Sequence, residues 1–169
     1  MKKYCLIGLL FCFLNPAMMA QLSEAWHGTW QGEVEIWEQN RLQFSFPMSL
    51  EIMPQDSGLT FSIHYDRGGE KPDIRRYSLL SITDSVGHYV IDEHNSILLD
   101  AYQNGPCLYN HFAGMETLLQ MRMCLEEDHL NYEITSTKEE PVRSSGGNEG
   151  VSEIESREVF QVMRARLKR

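Results

Sequence analysis

Trp26-His27-Gly28-Thr29-Trp30-Gln31-Gly32 runs on into Glu33-Val34-Glu35-Ile36. Trp30, Gly32, Val34 and Ile36 fall on one face of this stretch, and Gln31, Glu33 and Glu35 on the other. That is the period-2 alternation of a strand with one buried and one wet side. Leu42 to Ile52 repeats it: Leu42, Phe44, Phe46, Met48, Leu50 and Ile52 alternate with Gln43, Ser45, Pro47, Ser49 and Glu51. Pro47 has no amide hydrogen, so a gap or bulge is expected in the ladder there. After the turn cluster Pro54-Gln55-Asp56-Ser57-Gly58, Leu59, Phe61, Ile63 and Tyr65 alternate against Thr60, Ser62 and His64. Three consecutive strands with matching alternation define an antiparallel meander.

Outward from this core the pattern continues in short strands. A polar loop, Asp66 to Asp73, precedes strands at Ile74–Thr83, Gly87–Asp92 and Ser96–Gln103, whose alternation leaves their inner faces open. The turn Asn104-Gly105-Pro106 leads to strands at Cys107–Phe112 and Leu118–Glu126. Setting Cys107 opposite Cys124 pairs Ala113 with Leu118 and leaves Gly114 to Thr117 as a four-residue hairpin loop. Leu108 and Phe112 then share a face with Leu119, Met121, Met123 and Leu125, while Cys107, Tyr109 and His111 share the other with Gln120, Arg122 and Cys124. The register that pairs the cysteines also sorts apolar from polar side chains, which supports it independently. The bridge is expected on the outer wall, contributing about 3 kcal/mol. Asp128–Thr135 reads as a strand with Leu130, Tyr132 and Ile134 inward. The polar stretch Ser136 to Ser152 is expected to be a mobile loop, and a last strand covers Glu153–Leu167. No convincing amphipathic helix interrupts the series. The fold class is all-β, and about ten antiparallel strands joined in sequence satisfy their edges best as an up-and-down barrel. A two-sheet sandwich is the alternative arrangement.

The N-terminus has a different composition. Met1-Lys2-Lys3 is followed by the apolar run Leu6–Leu14, the breakers Asn15-Pro16 and the small-residue stretch Ala17-Met18-Met19-Ala20. This is the layout of a cleaved signal peptide, and the run is too short for a membrane span. Cleavage after Ala20 is preferred, with Ala17 as the other candidate, leaving a single domain, 21–169. The expected location is periplasmic or secreted. Cys12 lacks small residues before it, which argues against a lipoprotein anchor. The leader holds two of the 15 basic residues and none of the 24 acidic ones, so 13 basic side chains face 24 acidic ones and the mature net charge is −11. A chain of that charge is repelled by nucleic acid and anionic lipid. Only Cys107 and Cys124 survive cleavage; in an oxidising compartment a disulfide is the simplest reading, with two free thiols the other.

Gly28-Thr29-Trp30-Gln31-Gly32-Glu33 resembles the Gly-Thr-Trp-x-Gly-x-Gly opening of nitrobindin-like domains and, more loosely, the Gly-x-Trp of lipocalins and fatty-acid-binding proteins. The ending Ala165-Arg166-Leu167-Lys168-Arg169 resembles the nitrobindin C-terminus. Ile91 to Asp100 resembles a family of exported bacterial proteins. The resemblance implies a calycin-like barrel in which a C-terminal arginine, Arg164 or Arg166, packs across Trp30 and closes the base. It does not carry the activities over. Val159-Phe160-Gln161-Val162-Met163-Arg164 lacks the histidine that ligates haem in nitrobindin-like domains, and the last strand lacks the Arg-x-Tyr clamp of fatty-acid-binding proteins.

The residues themselves point to no reaction. His64, His111 and His129 fall on polar strand faces, His27 precedes the first strand, His94 lies in a turn, and His88 with Asp92 could form only a weak metal site. There is no Gly-x-Ser-x-Gly on a strand-to-helix turn and no Cys-His pair with a free thiol. Glu126-Glu127 and Glu139-Glu140 sit in or beside loops, where solvation explains them. The favoured reading is an exported, non-enzymatic protein without a cofactor that binds a small apolar or amphipathic ligand, such as a lipid, inside the barrel. Its candidate lining is Trp30, Val34, Phe44, Phe46, Met48, Phe61, Tyr65, Met121 and Tyr132, with the 66–73 or 136–152 loop at the mouth. Filling of the interior by these same side chains is the competing outcome. The first alternative is such a filled barrel acting through its acidic surface on another exported protein, as an inhibitor or an envelope chaperone-like factor. Haem or metal binding is the second.

Overall fold

A computed structural model of the chain describes residues 22–82 and 85–169. The expected signal peptide (residues 1–20), the expected mature start at residue 21 and residues 83–84 lie outside the described residues. Ten antiparallel strands follow one another: β1 (Gly28–Glu38), β2 (Arg41–Gln55), β3 (Gly58–Tyr65), β4 (Asp73–Ser81), β5 (His88–Asp92), β6 (Leu98–Asn104), β7 (Cys107–Gly114), β8 (Thr117–Leu125), β9 (His129–Ser145) and β10 (Ile154–Lys168). Each pairs with its sequence neighbours, and β1 pairs with β10 to close the barrel. Closure gives each described strand a neighbour on both sides, although β4 is paired with β5 only from Ser78 and β7 with β6 only up to Asn110. The sandwich alternative is thereby ruled out.

The alternation read in β1 to β3 is the alternation of burial. Trp30, Val34, Ile36, Phe46, Met48, Leu50, Ile52, Leu59, Phe61, Ile63 and Tyr65 are all buried. Cys107 stands opposite Cys124 with 4.0 Å between Cα atoms, and the two are bridged. One detail of that hairpin differs from expectation. Gly114 pairs with Thr117, so the loop is only Met115-Glu116, both at positive φ (51° and 60°). Left-handed pairs of this kind match the twist of the strands they join, but here without the Asn-Gly or Asp-Gly that announces them.

Two other expectations are corrected. Ser136–Ser145 is not loop: it continues β9 and pairs with Ile154–Gln161 of β10. The two strands outrun their neighbours, since the β8 ladder ends at Thr117↔Lys138 and the β1 ladder at Trp37↔Val162. They therefore project past the rim as a two-stranded ribbon. Low apolar content does not prevent this, because the backbone pairing continues from packed strands. Cross-strand ion pairs such as Lys138–Glu158 (2.6 Å) flank it, and its register slips around Arg157, the residue opposite Pro141. The other correction concerns Phe44, which is 52% exposed. Its inward parity is right, but β2 has no β3 partner before Met48↔Tyr65. Phe44 thus stands above the rim, stacked on Phe46 at 5.9 Å between centroids.

Candidate functional site

The two ends of the barrel are built differently. At one end, a 3-10 turn, Glu24–Trp26, folds under the strands and buries Leu22 and Trp26. Trp30 Nε1 donates to the Trp26 carbonyl at 3.0 Å, so the indole satisfies its polar atom inside the seal. Arg169 lies across the Trp30 ring, Cζ 4.5 Å from the centroid, and donates to the carbonyls of His27 (3.0 Å) and Ala25.

The base-closing arginine is therefore Arg169, not Arg164 or Arg166. Ala165 and Leu167 are buried, which turns residues 164 and 166 to the outer wall. There Arg164 pairs with Glu35 at 2.9 Å and covers Trp37, and Arg166 Nη2 lies 3.1 Å from His129 Nδ1. The parity of Ala165 and Leu167 carried this signal. Gly32 has a related role: a Cβ there would sit 2.4 Å from the Arg166 carbonyl oxygen. Its bare backbone lets β10 close against β1, rather than making room for a ligand or for the Trp30 ring.

At the other end the interior is not filled. A cavity of about 150 Å³ lies there, opening toward the β3–β4 and β5–β6 loops. Four of the nine sequence candidates line it: Phe61, Tyr65, Met121 and Tyr132. Trp30, Val34, Phe46 and Met48 are buried outside the lining, and Phe44 is at the rim. The rest of the apolar wall comes from Ile63, Tyr77, Leu79, Ile91, Phe112, Met123, Ile134 and Met163. Asn110 shares that face, and its Nδ2 donates to the Asp100 carbonyl at 2.7 Å.

The polar groups of the cavity are few and placed. The Tyr65 and Tyr132 hydroxyls lie 3.1 Å apart and hydrogen-bond each other. Burial pushes both phenols above their ordinary value, Tyr132 well above it, so both stay protonated at neutral pH. At the mouth, Arg75 Cζ is 5.5 Å from the Tyr65 ring centroid. Burial works against its charge, but the hydrogen bond to Asp73 and the nearby Tyr77 and Tyr65 hydroxyls more than offset this and raise its pKa. Arg75 Nη2 meets Asp73 Oδ2 at 3.2 Å. Arg67 lies over Phe46 at 5.2 Å and over Tyr65 at 5.6 Å.

Arg75 and Tyr77 were missed because a charged residue at an inward position breaks the alternation of β4. The register of β3 contained the signal: Phe61 faces Tyr77 and Ile63 faces Arg75. Arg67, in a loop, had none.

The histidines are spread over the wall. His64 bonds Ser62, and His88 pairs with Asp100 at 2.7 Å and stacks on Tyr102, not near Asp92 as expected. His129 faces outward yet is buried, under Glu126, Asp128 and Arg166. Among the described residues no three His, Cys, Asp or Glu side chains converge as a metal site would require. Ser78 Oγ lies 3.2 Å from His94 Nε2, whose Nδ1 is 3.7 Å from Asp92 Oδ2. These three do not form a proton relay. The 3.7 Å gap exceeds a hydrogen bond, and Asp92 Oδ1 is engaged by the His94 amide at 2.8 Å, which orders the β5–β6 turn.

A closed ten-stranded antiparallel barrel, sealed at one end and hollow at the other, is a calycin-type, lipocalin-like fold. Comparison with solved structures agrees. The chain is similar to an S-type phycobiliprotein lyase from Guillardia theta, with a TM-score of 0.59 and 10% identity over 86% of this chain and 89% of that one. At such identity the likeness speaks for the fold. No protein-family model matches the chain, and no curated protein does.

Proposed function

We propose that this chain is a non-enzymatic binding protein that takes a small apolar or amphipathic molecule into the hollow half of its barrel. The observation that carries the reading is the contrast in filling. Tryptophans and a bonded arginine seal one end, while a cavity of about 150 Å³ is left among aromatic and methionine side chains at the other. Pockets for small molecules have this make-up, an apolar wall with a small number of placed polar groups. A disulfide between Cys107 and Cys124 suits an oxidising compartment and supports export. No helix among the described residues is long and apolar enough to cross a membrane.

The test is native mass spectrometry of protein purified from its own host without detergent, beside a Met121→Trp variant whose indole fills the cavity. A reproducible adduct on the wild type, lost on denaturation and absent from the variant, is the expected result. An adduct equally present on both sinks the reading.

The projecting β9–β10 ribbon favours a second reading, a surface contact with another exported protein. Glu139, Glu140, Glu155 and Glu158 are on it, with Lys138 and Arg157 paired to Glu158 and Glu155, so Glu139 and Glu140 are its acids outside those ion pairs. An acidic surface that steers a partner should lose on-rate steeply as salt rises, whereas a buried apolar ligand should not.

A further inference from the structure

We propose that the ligand of the cavity is a small carboxylate, its head held at the mouth by Arg67 and its apolar body about the size of a six-carbon ring or chain. This deepens the binding reading above and rests on it.

Two guanidinium groups approach one ring at the mouth, Arg67 at 5.6 Å and Arg75 at 5.5 Å from the Tyr65 centroid. A guanidinium beside an apolar cavity is stabilised by an anion close to it. Asp73 balances Arg75 at 3.2 Å. Among the described residues no carboxylate lies within ion-pairing distance of Arg67. Glu93 also lines the cavity; its carboxylate keeps its charge, accepts from Asn95 Nδ2 at 3.2 Å and makes no ion pair with Arg67. The Arg67 guanidinium is positioned by rings instead of by a counter-ion. Phe46 and Tyr65 hold its face, and its in-plane N–H donors are left for an arriving anion. A planar fork of donors fits a carboxylate best.

Behind the mouth, two phenols share one hydrogen bond, which leaves one phenolic proton over. It is a second donor on the ligand's path. The size of the body follows from the volume. An apolar cavity of about 150 Å³ is known to hold benzene, and this one has about that volume. A long acyl chain or a tetrapyrrole needs the wall to move.

The experiment is calorimetric titration of the purified protein with phenylacetate and hexanoate, set beside their neutral amides and hexadecanoate. Charge-assisted recognition predicts that the acids bind at least about tenfold tighter than the amides. Arg67→Gln should bring acid affinity down to that of the amides while amide binding, which reports an intact fold, stays unchanged. Arg76→Gln, on the outer face of β4 opposite Ser62, should change nothing, and Met121→Trp should abolish both. Equal binding of acids and amides to the wild type would overturn the carboxylate assignment and leave the cavity reading standing. Binding that survives Met121→Trp, or no binding of either class, would overturn both. Hexadecanoate binding more than about tenfold tighter than hexanoate would overturn the size limit set by the cavity.

Discussion

At the sealed end Arg169 lies 4.5 Å over Trp30; at the open end Arg67 lies 5.2 Å over Phe46 and 5.6 Å over Tyr65. The two contacts are of one kind, a guanidinium on an aromatic face. Their surroundings differ. Arg169 donates to the His27 and Ala25 carbonyls and ties the C-terminus to the 3-10 turn. Among the described residues Arg67 has no carboxylate at pairing distance, and it stands beside a cavity. The same interaction is a structural clasp where its donors are occupied and a recognition element where they are left over.

This contrast can be broken by substitution. The largest effect is expected from Trp30→Ala, which empties the buried centre of the seal and should cost about 3–5 kcal/mol in urea unfolding. Gly32→Ala should cost about 1–3 kcal/mol, because the added methyl meets the β10 backbone and cannot be moved aside. The buried phenols at the open end predict an alkaline loss of stability. Their folded pKa values are raised, so their contribution is complete below the unfolded value of about 10 and falls as pH rises beyond it, by up to about 1.4 kcal/mol per pH unit for each group. Tyr132→Phe should flatten that slope in denaturation measured between pH 9 and 12, a window chosen to bracket a phenol pKa of about 10. The smallest effects test the arginines directly. Arg169→Gln should cost about 1 kcal/mol and Arg67→Gln less than about 0.5. Equal losses from the two would show that Arg67 is a clasp as well.

Much of the fold was readable from alternation. Where one face is buried, a one-residue slip exposes every apolar side chain, so the residues of β1 to β3 and of the Cys107–Cys124 hairpin specify their own register. The ribbon was not readable in this way, because both its faces are wet and its backbone hydrogen bonds leave no mark on composition. Nor could the depth of Phe44 be read: parity tells which face a residue is on, but not where the neighbouring strand ends. Arg169 was within reach, since Ala165 and Leu167 set the parity of β10, but the resemblance drew attention to its neighbours. Part of the cavity was legible through Phe61, Tyr65, Met121 and Tyr132. Its polar rim was not, because Arg75 occupies an inward position that the alternation rule would fill with an apolar residue.

The most direct measurement labels the methionine methyl groups with carbon-13 and follows them by NMR as benzene is added. Met121, Met123 and Met163 line the cavity, whereas Met48 is buried outside it and Met115 is exposed in a turn. Saturable shifts at the first three, with Met48 and Met115 unmoved, are the predicted result. Absence of a saturable shift, or shifts that include Met48 equally, would contradict a barrel that is sealed at one end and receptive at the other.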